Sequence, residues 1–182
     1  MLQLNPQRIE GFQPRGVVIT PMTDKQMITG DYLQAVRFDP LTVPKGNASQ
    51  IHERDVVIYD ILQSNSFKLQ NGIGPYNLLI RLQEMRLVLE VNGVHSPYAL
   101  CSTLSWSALR RFFRDYEKVC GVYHSSIKSR PPTEIESIDM ARRSLHNDGA
   151  TYISEHLKPH IDIDFETARA LYSLFYTLYW KG

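Results

Sequence analysis

Apolar residues recur along this chain with two different periods, and the switch between them outlines the fold. Over residues 76–104 the period is two. Tyr76, Leu78, Ile80 and Leu82 fall on one side of an extended segment, which predicts strands over 76–82 and 87–92 joined by a tight turn at Glu84-Met85. Asn92-Gly93 is a reverse-turn signal, and residues 98–104 complete an antiparallel meander. From residue 105 onward the period becomes three to four. Trp106, Leu109, Phe112, Phe113, Tyr116, Val119, Tyr123 and Ile127 define one face of a long helix capped by Ser105. Pro131-Pro132 breaks it. Thr133 with Glu136 forms a capping-box pattern that opens the next helix, which stops near Gly149 or continues to Leu157.

The flanks carry weaker patterns. Gly16 to Thr20 form a short apolar run ended by Pro21, and a second strand is expected within 24–38. Pro40, Pro44, Gly46 and Asn47 mark a loop over 39–50. Residues 51–64 follow helical spacing, with Ile51, Arg54, Val57, Ile58, Ile61 and Leu62 on one face and Ser49 as the expected cap. Residues 70–75 read as a turn, and 161–163 as a short strand. Asp164 caps a last helix over 165–180. Its apolar arc of Leu171, Leu174, Phe175 and Leu178 is widened by Tyr172, Tyr176 and Tyr179. That arc suits a helix sandwiched between core elements, or a tyrosine-bearing homodimer face. The expected class is α+β, a small antiparallel β-meander packed against a long helix and C-terminal helices. Residues 1–50 are expected to be an N-terminal extension with one or two strands, part of the same domain as the α+β unit at 51–182.

Composition narrows the picture further. With 182 residues, 43% of them hydrophobic and 21% charged, the chain can bury one sizeable core and is not a disordered polymer. A net charge of +1 exerts no general pull toward nucleic acid or an anionic membrane, so neither is expected as a partner. The charge is uneven, however. Arg110, Arg111, Arg114, Lys118, Lys128 and Arg130 face only Asp115 and Glu117 over residues 110–130. That stretch is either a solvated basic helix face or a docking patch for an acidic partner or nucleic acid. No apolar run reaches the roughly 18 residues of a membrane span. Cys101 and Cys120 lack CxxC spacing and sit in apolar patterns, as reduced buried thiols would. A cytoplasmic location is therefore expected.

The densest chemistry lies at residues 136–149. On a helical wheel, Ile135, Ile138, Leu145, Tyr152 and Ile153 form the apolar stripe. Arg142 falls in the middle of that stripe with Gly149 in line, Asp139 and His146 sit at its border, and Arg143 lies farther out, within ion-pair reach of Asp139. Arg54 is likewise embedded in the apolar stripe of the first helix. A guanidinium cannot shed its proton, so a core-facing arginine demands an anion or a well-made set of acceptors. Arg142, Arg54 and Arg143 are thus anion-binding candidates. His146, Asp139 and Asp148 are the acid/base candidates. Asn147, Gly149, Glu53 and His52 are supporting residues, His52 with the least claim. The competing structural reading pairs Arg142 with Glu53, Asp60 or Asp164 and makes His146 a hydrogen-bonded core imidazole. His156 and His160 have metal-ligand spacing, but Pro159 interrupts the helix between them, and no metal or cofactor is expected. Residues 71–75 match no phosphate-loop pattern, and no GxSxG elbow is present.

These residues carry a resemblance. His52-Glu53-Arg54, Ile58-Tyr59-Asp60, Asn65-Ser66-Phe67, Gly74-Pro75-Tyr76, Arg110-Arg111, Asp115-Tyr116, Ile138-Asp139-Met140, Arg142-Arg143, Leu145-His146-Asn147 and Asp164-Phe165 are similar to the pattern of uncharacterised protein family 0262. That family comprises small alphaproteobacterial proteins. The likeness spans about residues 50 to 182. The chain departs from it at Ala141 and Ser144, where the family pattern looks like glycine, and at Asp148, where it looks like glutamate. The resemblance implies no activity.

Three functions remain open on these grounds. The first is a binding or regulatory domain that recognises an anionic small molecule or an acidic protein segment through Arg142 and Arg54. The second is an enzyme acting on a phosphorylated or carboxylated small molecule with His146 as acid/base. The third is an interaction protein in which Arg142 is purely structural.

Overall fold

The computed structural model describes residues 30–180, so the strand expected at 16–20 lies outside the described residues. The chain runs β1 (Leu33–Phe38), α1 (Ala48–Gln63), β2 (Phe67–Leu69), β3 (Tyr76–Gln83), β4 (Arg86–Gly93), β5 (Ala99–Ser105), α2 (Trp106–Ser126), α3 (Pro132–Leu157), β6 (Ile161–Ile163) and α4 (Phe165–Tyr179). The fold is α+β. The expected meander is β3-β4-β5, and its hairpin turns at Glu84 and Met85, whose φ angles are 46° and 63°.

Two features of the sheet go beyond the meander. β1 adds to the edge of β3 in parallel, giving the order β1-β3-β4-β5, so the sheet is mixed. A parallel neighbour needs a long crossover, and α1 with β2 supplies it. The Asn65 side chain ties this crossover together. Its Oδ1 accepts from the Leu33 N–H at 2.6 Å, and its Nδ2 donates to the Leu33 and Ile61 carbonyls. β2, hidden in sequence by its three-residue length, pairs antiparallel with β6 in a second small sheet.

Helix ends differ from expectation in two places. α1 begins at Ala48 with Asn47 as its cap, not Ser49. Asn47 Oδ1 accepts from the Gln50 N–H at 2.9 Å, and Gln50 Oε1 accepts from the Asn47 N–H at 3.0 Å. The capping box is therefore here and not at Thr133 and Glu136. α3 starts instead at Pro132, whose fixed φ suits a first helical position and whose missing N–H leaves one fewer donor to cap. α3 runs through Gly149 to Leu157.

The inner sheet face of Leu78, Ile80, Leu87, Leu89, Val91 and Leu104 meets Leu109, Phe113, Ile153, Leu171, Leu174 and Phe175 from the helices. Phe113 is fully buried and touches the rings of Trp106, Tyr172, Tyr176 and Tyr179. Burial of such a ring contributes about 2–3 kcal/mol. Only the second half of α3 enters this core. Ile135 and Ile138 are half-buried, whereas Gly149, Ala150, Ile153 and Leu157 are buried. Cys101 is exposed on the edge strand β5 and Cys120 is half-buried, so neither is the fully buried thiol that its apolar context suggested.

Candidate functional site

A cavity of 510 Å³ opens where α1, α2, α3 and α4 meet. α2 presents Tyr116, Glu117, Cys120, Gly121 and His124 to it, and α4 presents Tyr172, Ser173, Tyr176 and Thr177. His146 enters from α3, Glu53 and Val57 from α1, and Trp180 closes the C-terminal end. The volume lies within the roughly 300–1,000 Å³ typical of small-molecule sites.

The spacing of the α2 residues explains the pocket. Tyr116, Cys120 and His124 recur at four-residue steps and so stack along one helix face. Gly121 lies beside that face, and a Cβ there would meet no atom within 4 Å. The glycine is not forced by packing, and it leaves the cavity open. The α4 tyrosines form the facing wall. Their rings pack inside the chain: Tyr172 is fully buried, Tyr176 stacks edge-on against Tyr116 at 5.2 Å between centroids, and Tyr179 lies against Phe113.

His146 is the half-buried imidazole of the cavity. Its Nε2 is 2.9 Å from Ser173 Oγ, and its ring packs against Tyr172 at 4.7 Å and Tyr116 at 5.5 Å. Burial, reinforced by the positive charges of Arg169 and Arg142, lowers its pKa to about 4, so the imidazole is neutral at physiological pH. Its Nδ1 is buried without a partner, as is the Tyr172 hydroxyl. Burial also raises the Tyr116, Tyr172 and Tyr176 phenols and the Cys120 thiol, which keeps all four protonated. The pocket thus offers uncharged hydrogen-bonding groups between aromatic walls. Its carboxylates, Glu53 and Glu117, are on exposed residues, and no lysine or arginine is among its described lining residues.

The arginines lie elsewhere. Arg142 is 29% exposed and donates from Nε and Nη2 to Asp139 Oδ1 at 2.9 and 2.7 Å. Its Nη1 donates to the Tyr116 hydroxyl, and its guanidinium lies over the Tyr123 ring. Arg143 donates to the other oxygen of Asp139 at 2.7 Å. The hydrogen bond from Arg142, with that from Arg143, holds the Asp139 carboxyl below its usual range. The carboxylate facing Arg142 is therefore Asp139 of its own helix, three residues away, and not Glu53, Asp60 or Asp164. Arg54 is buried, and its Nη1 donates to the Pro44 and Lys45 carbonyls at 2.9 Å each, while Nε donates to Thr177 Oγ1. The Phe38 ring lies 5.2 Å from its guanidinium carbon. Neutral acceptors and a ring face thus meet the demand that its burial creates.

Asp148, the remaining acid/base candidate, is exposed; of the supporting residues, Glu53 lines the cavity, His52 is exposed, and Asn147 is half-buried with its Oδ1 unpartnered. Gly149 is filled by the ring of Tyr172, not by a ligand or a second backbone. The amino-acid pattern did not mark Ser173, Gly121, Cys120 or Trp180 as site residues. A glycine in the middle of a strongly periodic helix was the one available signal. Among the described residues, no group of His, Cys, Asp or Glu side chains converges as metal ligands would, and no helix is long and apolar enough to cross a membrane.

The family model for the uncharacterised protein family UPF0262 matches residues 30–181, beginning well before the residue near 50 where the sequence pattern was expected to start. A UPF0262 protein of Azorhizobium caulinodans is 42% identical over 153 residues, covering 82% of this chain and 94% of its own. One from Methylobacterium radiotolerans is 38% identical over 150 residues with the same coverage. A Mesorhizobium japonicum relative is 44% identical over 133 residues, or 72% of this chain and 83% of its own. No solved structure matches.

Proposed function

The chain belongs to the uncharacterised protein family UPF0262, and for this member we propose a binding domain that takes a small, ring-bearing organic molecule, neutral or cationic, in the cavity between its four helices. One observation carries the proposal: a 510 Å³ cavity walled by Tyr116, Tyr172, Tyr176 and Trp180, with the Tyr172 hydroxyl buried and unpartnered beside it. A buried polar group without a partner costs roughly 1–3 kcal/mol, and a ligand's hydrogen-bonding atom would recover that cost. The aromatic walls favour a flat ring, and the two rim carboxylates favour a cation over an anion. The anionic ligand expected from Arg142 and Arg54 loses support because both guanidiniums already have partners within the chain.

The test uses three probes with one ring and different charge: indole, tryptamine and indole-3-acetate. Calorimetry is expected to give tryptamine the highest affinity, indole less, and indole-3-acetate the least. The reverse order would refute the neutral-or-cationic assignment.

The His146–Ser173 pair favours one second reading, a hydrolase with Ser173 as nucleophile. Three features weigh against it. The imidazole has too low a pKa to act as an efficient base near neutrality, its Nδ1 lacks an orienting carboxylate, and Ser173 lies mid-helix, where backbone N–H groups are committed to the helix ladder. Labelling of Ser173 by a fluorophosphonate would revive the hydrolase reading, and absence of labelling supports binding alone.

A further inference from the structure

A second feature, independent of the aromatic cavity, sits at the other end of α2. Arg110, Arg111 and Arg114 surround a notch of 210 Å³ with Ser107, Met85 and Tyr179. All three arginines are exposed. Arg114 has only a 3.7 Å pairing with Asp115, its immediate neighbour, and Arg110 and Arg111 make no hydrogen bond or ion pair among the described residues. The positive charge is therefore not consumed inside the fold.

The hairpin between β3 and β4 adds a second observation. Glu84 and Met85 both have positive φ, in a two-residue turn where Asn-Gly would fit without strain. A non-glycine residue in this conformation is strained, because its Cβ crowds the following carbonyl oxygen. The turn places Met85, 52% exposed, at the wall of the arginine notch, and the Met85 carbonyl accepts from the Trp106 N–H at 3.0 Å. The strained turn thus presents a flexible thioether beside three guanidiniums.

We propose that this face docks an extended acidic segment of a partner protein, with one apolar side chain of the segment seated against Met85 and Tyr179 and its carboxylates on Arg110, Arg111 and Arg114. The spacing supports an extended peptide. Arg110, Arg114 and Lys118 repeat every four residues, a step of about 6 Å along the helix. Alternate residues of an extended chain are about 6.6 Å apart. Carboxylates at alternate positions therefore track the row. Nucleic acid fits less well, because Asp115 and Glu117 interrupt the positive face and the notch offers a thioether and one tyrosine rather than a row of stacking rings.

The probe is a short fluorescein-labelled peptide with glutamate at alternate positions and one central leucine, titrated into the full chain and followed by anisotropy. Binding is expected, weakening as salt rises. Arg110→Gln with Arg114→Gln should lower affinity about tenfold while the circular dichroism spectrum is retained. Glu84→Asn with Met85→Gly removes the anchor and relaxes the turn, so it should raise the thermal midpoint and still weaken the peptide several-fold. Failure of the wild-type chain to bind the peptide overturns the proposal, as does unchanged affinity in the arginine variant. Tighter binding of a single-stranded oligonucleotide than of the peptide overturns it in favour of nucleic acid.

Discussion

The ring of Tyr172 occupies the space that a side chain on Gly149 would need. A Cβ built on Gly149 would stand 2.0 Å from Tyr172 Cε2 and 2.5 Å from Cδ2. This contact lets α3 and α4 approach closely, and it fixes the tyrosine whose ring packs against His146 in the wall of the cavity. Gly149→Ala must therefore displace a fully buried ring. Although alanine is the better helix former, the variant is expected to lose about 2–3 kcal/mol. Urea unfolding measures this directly, and a neutral or stabilising result would contradict the packing.

His146 makes stability depend on pH. Its pKa falls from the ordinary 6.5 to about 4 in the folded chain, mainly because of burial. Between these values the unfolded chain binds the extra proton and the native chain does not, so unfolding is favoured as pH falls. The contribution is fully present above pH 6.5 and is lost progressively down to pH 4. It amounts to on the order of 3 kcal/mol at most. Denaturation midpoints measured across that window should fall with acidity in the wild type. The fall should be shallower in His146→Gln, which keeps a hydrogen-bonding group near Ser173 and does not titrate.

Arg54 separates a fold-fixing guanidinium from a ligand-binding one. Arg54→Met preserves much of the stem packing against Phe38 but leaves the Pro44 and Lys45 carbonyls without their donor. A loss of about 2–3 kcal/mol in stability is expected, with tryptamine affinity unchanged once the protein is folded. A large loss of affinity at constant fold would return Arg54 to the binding site.

Much of this architecture is legible in the amino-acid pattern because the elements are long and strongly periodic. α2 is marked by its aromatic stripe and by Ser105, which accepts from the Ala108 N–H, and the β3-β4-β5 meander by alternation over three consecutive strands. β1 and β2 are harder to see. β1 pairs with a strand forty residues away across a crossover, and β2 has only three residues for a pattern to show in. The cavity differs from the site expected around Arg142 for another reason. A wheel reports which way Arg142 points but not what it meets there: its guanidinium pairs with Asp139 of its own helix and packs on Tyr116 and Tyr123 of α2, and the first half of α3 lies outside the core. The aromatic cavity is invisible in any single segment because its lining is spread over four helices, and the tyrosines that line it read as core.

Gly121 offers the most direct test of the cavity as a binding site. It lines the pocket, its missing Cβ has open space around it, and it sits inside a helix, where leucine is favoured over glycine by about 0.5–1 kcal/mol. Gly121→Leu should therefore fold at least as stably as the wild type while filling the cavity. The measurement is a calorimetric titration of tryptamine into both proteins, alongside their thermal midpoints. The account predicts binding to the wild type and none to Gly121→Leu at an equal or higher midpoint. Equal binding to both, or no binding to either, would contradict it.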